Sequence, residues 1–109
     1  NPFAEHYEPE GGETWQEFDQ RVTRAWSRIQ SALPSDGILA VVTHGLVCAA
    51  LLRNHLDAQA HVTDSGRLYP FRNASFTRIE SSPPWRVQLL NCAEHLEALG
   101  DQTSIYGQV

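Results

Sequence analysis

The chain has 109 residues, of which 41% are hydrophobic and 19% are charged, and its formal net charge is −5. This length suits one domain, and the composition is that of a folded globular protein rather than a disordered one. The eight lysine and arginine residues are scattered along an acidic chain. This distribution argues against nucleic acid or an anionic membrane surface as the main partner.

The cysteines and the absence of a leader pattern indicate a reducing location. Cys48 lies in an apolar run and Cys92 is the only other cysteine, so two buried thiols are expected rather than a disulfide. No leader and no apolar stretch near the length of a membrane span occurs. We therefore predict a cytoplasmic protein. The sequence also contains no methionine, so we expect that residues before Asn1 have been removed.

The first regular element predicted is an amphipathic helix that follows an entry loop over residues 1–13. Thr14 and Glu17 have the spacing of a capping box, in which each residue satisfies a free N–H group of the first turn. Apolar residues then recur at helical spacing. They are Trp15, Phe18, Val22, Ala25, Trp26, Ile29 and Leu33. The helix is predicted to end before Pro34, because proline cannot continue it.

A buried strand and a second helix are predicted next. Residues 38–42, ILAVV, form a continuous apolar run, which is typical of a strand covered on both faces in a mainly parallel sheet. After Gly45, the run LVCAALLRNHL suits a helix packed against that strand. Helix, strand and helix together make one α/β unit.

The remainder of the chain is predicted to contain a loop, a hairpin and a tail. Residues 57–72 are mixed in character and are predicted to form a loop. The segments 74–81 and 85–91 flank Pro83-Pro84, and their composition and alternation predict an antiparallel hairpin. Beyond Leu99 the chain has little apolar content, so a frayed tail is expected.

His44 stands at the junction of the predicted strand and the second helix. Ligands of open α/β sheets gather outside the carboxyl ends of strands, and a helix start presents free N–H groups and a positive dipole end. Gly45 would let a ligand approach the amides of Leu46 and Val47. The imidazole and these donors suit a phosphoryl or carboxylate group. The alternative is that His44 caps the strand by bonding a nearby carbonyl, and the local pattern leaves both open.

The other histidines have structural explanations. His55 and His61 lie in no cysteine or carboxylate pattern that would make a zinc site, so no metal is predicted, and no cofactor either. His95 is also interpreted as structural. The sequence contains no G-x-S-x-G elbow, glycine-rich phosphate loop or H-E-x-x-H motif.

Four stretches of the sequence carry a resemblance to a known family. They read PEGGETWQEFDQRV (9–22), ILAVVTHGLVCAALL (38–52), NASFTRIE (73–80) and WRVQLLNCAEHL (85–96). Together they resemble the C-terminal half of the histidine phosphatase superfamily, also called the phosphoglycerate mutase-like family. The implied fold is a partial three-layer α/β sandwich, with a mainly parallel sheet, a C-terminal antiparallel hairpin and no first strand.

The same resemblance implies a division of the chain. Residues 1–96 would be the C-terminal portion of one domain, and residues 97–109 would be a polar tail.

The resemblance also implies a reaction that uses two histidines. One histidine attacks phosphorus and becomes phosphorylated, the second stabilises the transferring group, and a carboxylic acid protonates the leaving alcohol. His44 matches the second histidine, and the backbone at Gly45 and Leu46 would bind another phosphoryl oxygen. Glu13 matches a glutamate near the rim of the family's pocket. The alternative for Glu13 is a carboxylate that stabilises a helix N-terminus.

One departure from the family pattern concerns the nucleophile. In the family it lies in an R-H-G motif after the first strand, and this sequence contains no Arg-His-Gly. His6 follows no predicted strand and does not replace it. We expect the nucleophile, the acid and most of the phosphate-binding groups to lie before Asn1, so that this chain alone is inactive.

Two functions from different classes remain open. The first is part of a phosphomonoesterase that acts on a small phosphorylated metabolite through a phosphohistidine, with a phosphoglycerate mutase as the alternative within that class. The GGETWQEFDQRV segment favours the small broad-specificity or cobalamin-pathway phosphatases. The second is a non-catalytic half-domain used for binding or assembly. Because residues 38–43 would then be an open strand edge, a homo-oligomer paired through them is expected.

Overall fold

The computed structural model describes residues 11–63 and 66–99. Its helices and strands, in chain order, are α1 (Trp15–Ala32), α2 (Gly45–Asn54), β1 (Phe76–Ile79) and β2 (Val87–Cys92), followed by a 3₁₀ helix over Glu94–Leu99. The described residues fall into two compact units that divide between Leu39 and Ala40. The α/β class is confirmed. Most of the predicted entry loop and of the predicted polar tail lies outside the described residues.

Helix α1 has the start and the end that the sequence predicts. The Glu17 N–H donates to Thr14 Oγ1 over 3.1 Å, and the Thr14 N–H donates to Glu17 Oε1 over 3.0 Å, so the capping box is complete. The apolar face buries Val22 and Trp26, whereas Ala25, which was predicted on the same face, is exposed. The helix ends two residues before Pro34.

The predicted strand over residues 38–42 is wrong for the described chain. These residues adopt neither strand nor helix, and Ile38 and Val42 are each 96% exposed. A strand is defined by hydrogen bonds to a neighbouring strand, and the described residues supply no such neighbour. The apolar run is therefore present without the pairing that would make it a strand.

Helix α2 supplies one side of the hydrophobic core in the second unit. Ala49 is completely buried and Leu52 is 1% exposed. They pack in one cluster with Ala58, Phe71 and Val87, which come from the loop after α2, the loop before β1 and the start of β2. This packing confirms the second predicted helix and fixes its orientation within the unit.

The predicted hairpin is confirmed. Strands β1 and β2 pair antiparallel, with Phe76 opposite Cys92 and Ile79 opposite Val87. The parallel part of the predicted sheet is represented, among the described residues, by a single bridge between Asp57 and Arg86. In that bridge the Val87 N–H donates to the Asp57 carbonyl oxygen over 2.8 Å.

Asn91 ties the loop before β1 to the hairpin, a role that the sequence analysis did not predict. Its Oδ1 accepts from the Arg72 N–H over 2.9 Å, and its Nδ2 donates to the Pro70 carbonyl oxygen over 3.1 Å. Its own N–H donates to Thr77 Oγ1 over 3.0 Å. Asn91 has φ +53°, a left-handed conformation that asparagine tolerates better than most residues. The loop over 66–72 is thereby held against β2.

The core predicts a large difference between two leucine substitutions. Leu52→Ala removes a side chain that is 1% exposed and leaves a cavity, so it should lower the free energy of unfolding by about 2–5 kcal/mol. Leu68→Ala is the matched control, because Leu68 is 40% exposed, and it should cost less than about 1 kcal/mol. Urea denaturation followed by circular dichroism measures both. Equal losses would contradict the assignment of Leu52 to the core.

Candidate functional site

The start of α2 presents an exposed imidazole that the helix does not use. His44 is the N-cap residue, with φ −106° and ψ 164°, and its side chain makes no capping hydrogen bond. The residue is exposed. No carbonyl in residues 11–63 or 66–99 accepts a hydrogen bond from its ring, so this part of the chain gives no support to the carbonyl-capping alternative.

The backbone donors at the same helix start are also unused by the helix. The first intrahelical bond runs from the Cys48 N–H to the His44 carbonyl oxygen over 3.0 Å. The N–H groups of Gly45, Leu46 and Val47 precede it and have no acceptor within the helix. The first turn contains no acidic residue, so no carboxylate of the helix itself competes for the positive end of the dipole.

The core holds this helix start in place. Residues Ala49 to Leu52 are all buried, so the second half of the helix is anchored while the first turn is only partly covered. Because the helix is rigid, the positions of the His44 backbone and of the first-turn amides follow from the packing of Ala49 and Leu52. The site is therefore built on a helix rather than on a flexible loop.

Glu13 lies in the other compact unit and has a partner that the sequence analysis missed. Arg21 Nε donates to Glu13 Oε2 over 2.9 Å, and Arg21 Nη2 donates to Oε1 over 3.1 Å. The guanidinium also lies 5.2 Å from the centre of the Phe18 ring. The spacing of the two residues in the sequence could have indicated this pair, because Arg21 lies on α1 about two turns beyond Glu13. This bidentate pair gives Glu13 a structural role at the start of α1.

The hydrogen bond from Arg21 holds the pKa of the Glu13 carboxyl below its ordinary value. The positive charges of Arg21 and Arg24 act in the same direction, and partial desolvation opposes them. A carboxyl whose pKa is lower in the folded state stabilises the fold at neutral pH. This stabilisation is lost as the pH falls through the pKa of the folded state.

The thiol of Cys48, in the first turn of α2, is a poor nucleophile at neutral pH. Cys48 and Cys92 are both free thiols, and both are partly buried. Burial raises the pKa of the Cys48 thiol. A thiol with a raised pKa stays protonated at neutral pH and is a poor nucleophile.

Two further histidines make structural contacts. His61 Nε2 lies 2.9 Å from the Val87 carbonyl oxygen, and His95 Nε2 lies 2.7 Å from the Ala74 carbonyl oxygen. Each ring therefore donates to the backbone of the hairpin region. The described residues contain no group of three or more histidine, cysteine, aspartate or glutamate side chains that could hold a metal ion. In the same part of the chain, no helix has the length and apolar character of a membrane span.

Comparison with known proteins identifies the family. The model of the histidine phosphatase superfamily (branch 1) matches residues 2–93. This match covers most of the chain and spans the Glu13 stretch, the His44 junction and the hairpin, so the chain belongs to this superfamily. The family supports phosphoryl-transfer or mutase-type chemistry in general. No curated protein and no solved structure matches the chain significantly.

The Glu13 pair predicts a shift that can be measured. Arg21→Gln removes both donors and the positive charge, so the pKa of Glu13 should rise toward its ordinary value. Arg24→Gln is the matched control, because Arg24 acts on Glu13 only through its charge and has the weakest of these effects on the pKa. It should raise the pKa less. A ¹³C NMR titration of the glutamate carboxyl groups gives both values, and equal shifts in the two variants would contradict a hydrogen-bonded pair.

Proposed function

We propose that the chain is part of a phosphomonoesterase that acts on small phosphate esters through a phosphohistidine intermediate, with His44 as the second histidine. The observation that carries this proposal is the exposed imidazole of His44 beside the unused first-turn amides of α2. Membership of the superfamily supports the reaction class. The substrate is accordingly a small phosphorylated metabolite.

The proposed role of His44 follows from the charge that develops during phosphoryl transfer. In the transition state, negative charge spreads over the equatorial oxygens of the phosphoryl group. The His44 ring donates a hydrogen bond to one of these oxygens, and the amides at Gly45 and Leu46 donate to another. Preorganised donors of this kind contribute about 3–4 kcal/mol each to transition-state stabilisation.

The nucleophile and the general acid are proposed to come from a segment that precedes Asn1. The nucleophilic histidine attacks phosphorus, and the leaving alcohol takes a proton from a carboxylic acid. Water then hydrolyses the phosphohistidine and regenerates the enzyme. No Arg-His-Gly motif occurs in the 109 residues. A parent gene that encodes no such motif upstream would contradict this proposal.

Two finer choices belong to the same class of reaction. A phosphoglycerate mutase would return the phosphoryl group to a second hydroxyl instead of to water. The segment over 11–22 favours a small phosphatase of the broad-specificity or cobalamin-pathway type. Glu13 matches a glutamate near the rim of the family's pocket, and its pairing with Arg21 accounts for its place at the start of α1.

A second candidate function is a non-catalytic half-domain that serves binding or assembly. The exposure of the apolar residues 38–42 favours it, because an exposed apolar patch marks an interaction surface. The two candidates differ in what they require of His44. Only the enzyme needs an imidazole at this position.

Anion binding tests the site in the chain as it stands. Inorganic phosphate titrated into ¹⁵N-labelled protein should shift the amide signals of Gly45, Leu46 and Val47, because their N–H groups have no acceptor within α2. His44→Ala should weaken this binding several-fold. His61→Gln is the matched control, because His61 is engaged with the Val87 carbonyl, and it should leave the binding unchanged. Equal weakening by both variants, or no shift at α2, would contradict the site.

Turnover of p-nitrophenyl phosphate separates the two candidate functions. The chain alone should hydrolyse it no faster than its His44→Ala variant, since the proposed nucleophile is not among its residues. The parent protein should lose about 100-fold to 1,000-fold in kcat through the same substitution, the effect typical of removing one preorganised donor.

Two outcomes of this assay would count against the proposal. A His44-dependent rate in the chain alone would mean that it holds its own nucleophile. An unaffected parent would remove His44 from the mechanism and favour the non-catalytic half-domain.

A further inference from the structure

The first turn of α2 carries two large apolar side chains that the core does not use. The buried cluster of the second unit includes Ala49 and Leu52 of this helix. The partly buried apolar residues packed against that cluster are Cys48, Leu56, Val62, Tyr69 and Leu90. Among the described residues, Leu46 and Val47 are also partly buried but do not belong to this set. Part of their apolar surface therefore faces solvent at the helix start.

The direction of helical side chains brings this apolar surface to the candidate site. Each Cα–Cβ bond of a helix tilts toward the N-terminus, so the side chains of the first turn cover the space at the helix start. Val47 stands three residues after His44, and residues three apart lie on one face of a helix. A ligand on the first-turn amides would thus have both the imidazole of His44 and the methyl groups of Val47 beside it.

The start of α2 offers no charged side chain for a second anionic group. Residues 37–52 contain no aspartate, glutamate, lysine or arginine. The first cation of the helix is Arg53, in its last turn, about 12 Å along the axis from Gly45. A carboxylate beside the apolar first turn would lose hydration without gaining a partner on this helix. The local chemistry therefore favours a substrate whose phosphoryl group is its only anionic group.

We propose that the site selects phosphate monoesters of aromatic or other apolar alcohols, with the alcohol part on Leu46 and Val47. His44 and the first-turn amides bind the phosphoryl group, as in the proposed function on which this preference rests. Leu46 and Val47 are then specificity-determining residues. Phosphoglycerate, which carries a carboxylate, is a poor ligand.

The contact area sets the size of the preference. Burial of on the order of 50 Å² of apolar surface corresponds to about a five- to tenfold gain in affinity. Phenyl phosphate should therefore bind about five- to tenfold more tightly than methyl phosphate. The two esters carry the same phosphoryl group, so the ring is the main difference between them. Phosphoglycerate should bind no more tightly than methyl phosphate.

Binding to the chain as it stands tests the preference. Methyl phosphate, phenyl phosphate and phosphoglycerate are titrated separately into ¹⁵N-labelled protein at the same pH and ionic strength. The amide shifts of Leu46 and Val47 give the three dissociation constants, and phenyl phosphate should have the lowest. Nuclear Overhauser effects between the ring protons and the methyl groups of Leu46 and Val47 locate the ring directly. None is expected at Leu68, which is 40% exposed but lies outside α2.

Two substitutions test the side chains. Val47→Thr keeps the shape of the residue but replaces a methyl group with a hydroxyl, and Leu46→Gln makes the neighbouring side chain polar. Each should lower the ratio of the methyl phosphate constant to the phenyl phosphate constant by about twofold or more. The ratio cancels any change in the binding of the phosphoryl group itself. Leu68→Gln is the matched control and should leave the ratio unchanged.

Far-ultraviolet circular dichroism shows whether each variant folds. If Leu46→Gln unfolds the chain, the isosteric Val47→Thr still gives the ratio.

The outcomes separate a wrong preference from a wrong site. Equal affinities for phenyl phosphate and methyl phosphate, with shifts at the α2 amides, would overturn the preference and leave the phosphoryl site in place. Tighter binding of phosphoglycerate than of phenyl phosphate would overturn it as well. Equal effects of Val47→Thr and Leu68→Gln on the ratio would show that the first turn does not contact the alcohol part. The absence of any shift at these amides would overturn the site and, with it, the preference.

Discussion

The burial of one face of α2 is the interaction on which the second unit depends. Ala49 and Leu52 pack with Ala58, Phe71 and Val87, so a single helix joins the loop after it, the loop before β1 and the first residue of β2. The same contact fixes the direction in which α2 begins. The same packing therefore positions the candidate site, because its imidazole and its amides lie at the less buried end of a helix whose other end is in the core.

The N-termini of the two α-helices differ. The N-terminus of α1 is capped by side chains of its own unit, whereas the N-terminus of α2 has no side-chain cap. At α1 the side chains of Thr14 and Glu17 each accept a hydrogen bond from the backbone N–H of the other, and Glu13 is paired with Arg21. At α2 the cap residue is a histidine whose ring makes no capping bond, and no acidic residue follows in the first turn. A helix start without local anions is able to accept one from solution.

The sequence predicted those elements whose stability is local or that end at clear signals. The capping box defined the start of α1, Pro34 limited its end, and the two segments around Pro83-Pro84 defined the hairpin. His44 and the helix after it were predicted for the same reason. The strand predicted over 38–42 is not formed. An apolar pattern indicates that a segment is stabilised by contact with other apolar residues, but it does not show whether a neighbouring strand is present. The Glu13 and Arg21 pair and the bonds of Asn91 depend on side-chain directions and long-range contacts that a linear pattern does not contain.

Asn91 has a consequence for how the hairpin opens. One side chain bonds both Pro70 and Arg72, and the backbone N–H of the same residue bonds Thr77. The loop and β1 are therefore both bonded to β2 through the same residue, the loop through its side chain and β1 through its backbone N–H. We expect the loop, β1 and β2 to behave as one cooperative unit in native-state hydrogen exchange rather than as a frayed loop beside a stable hairpin. The loop over 66–72 should then be protected from hydrogen exchange as β1 and β2 are.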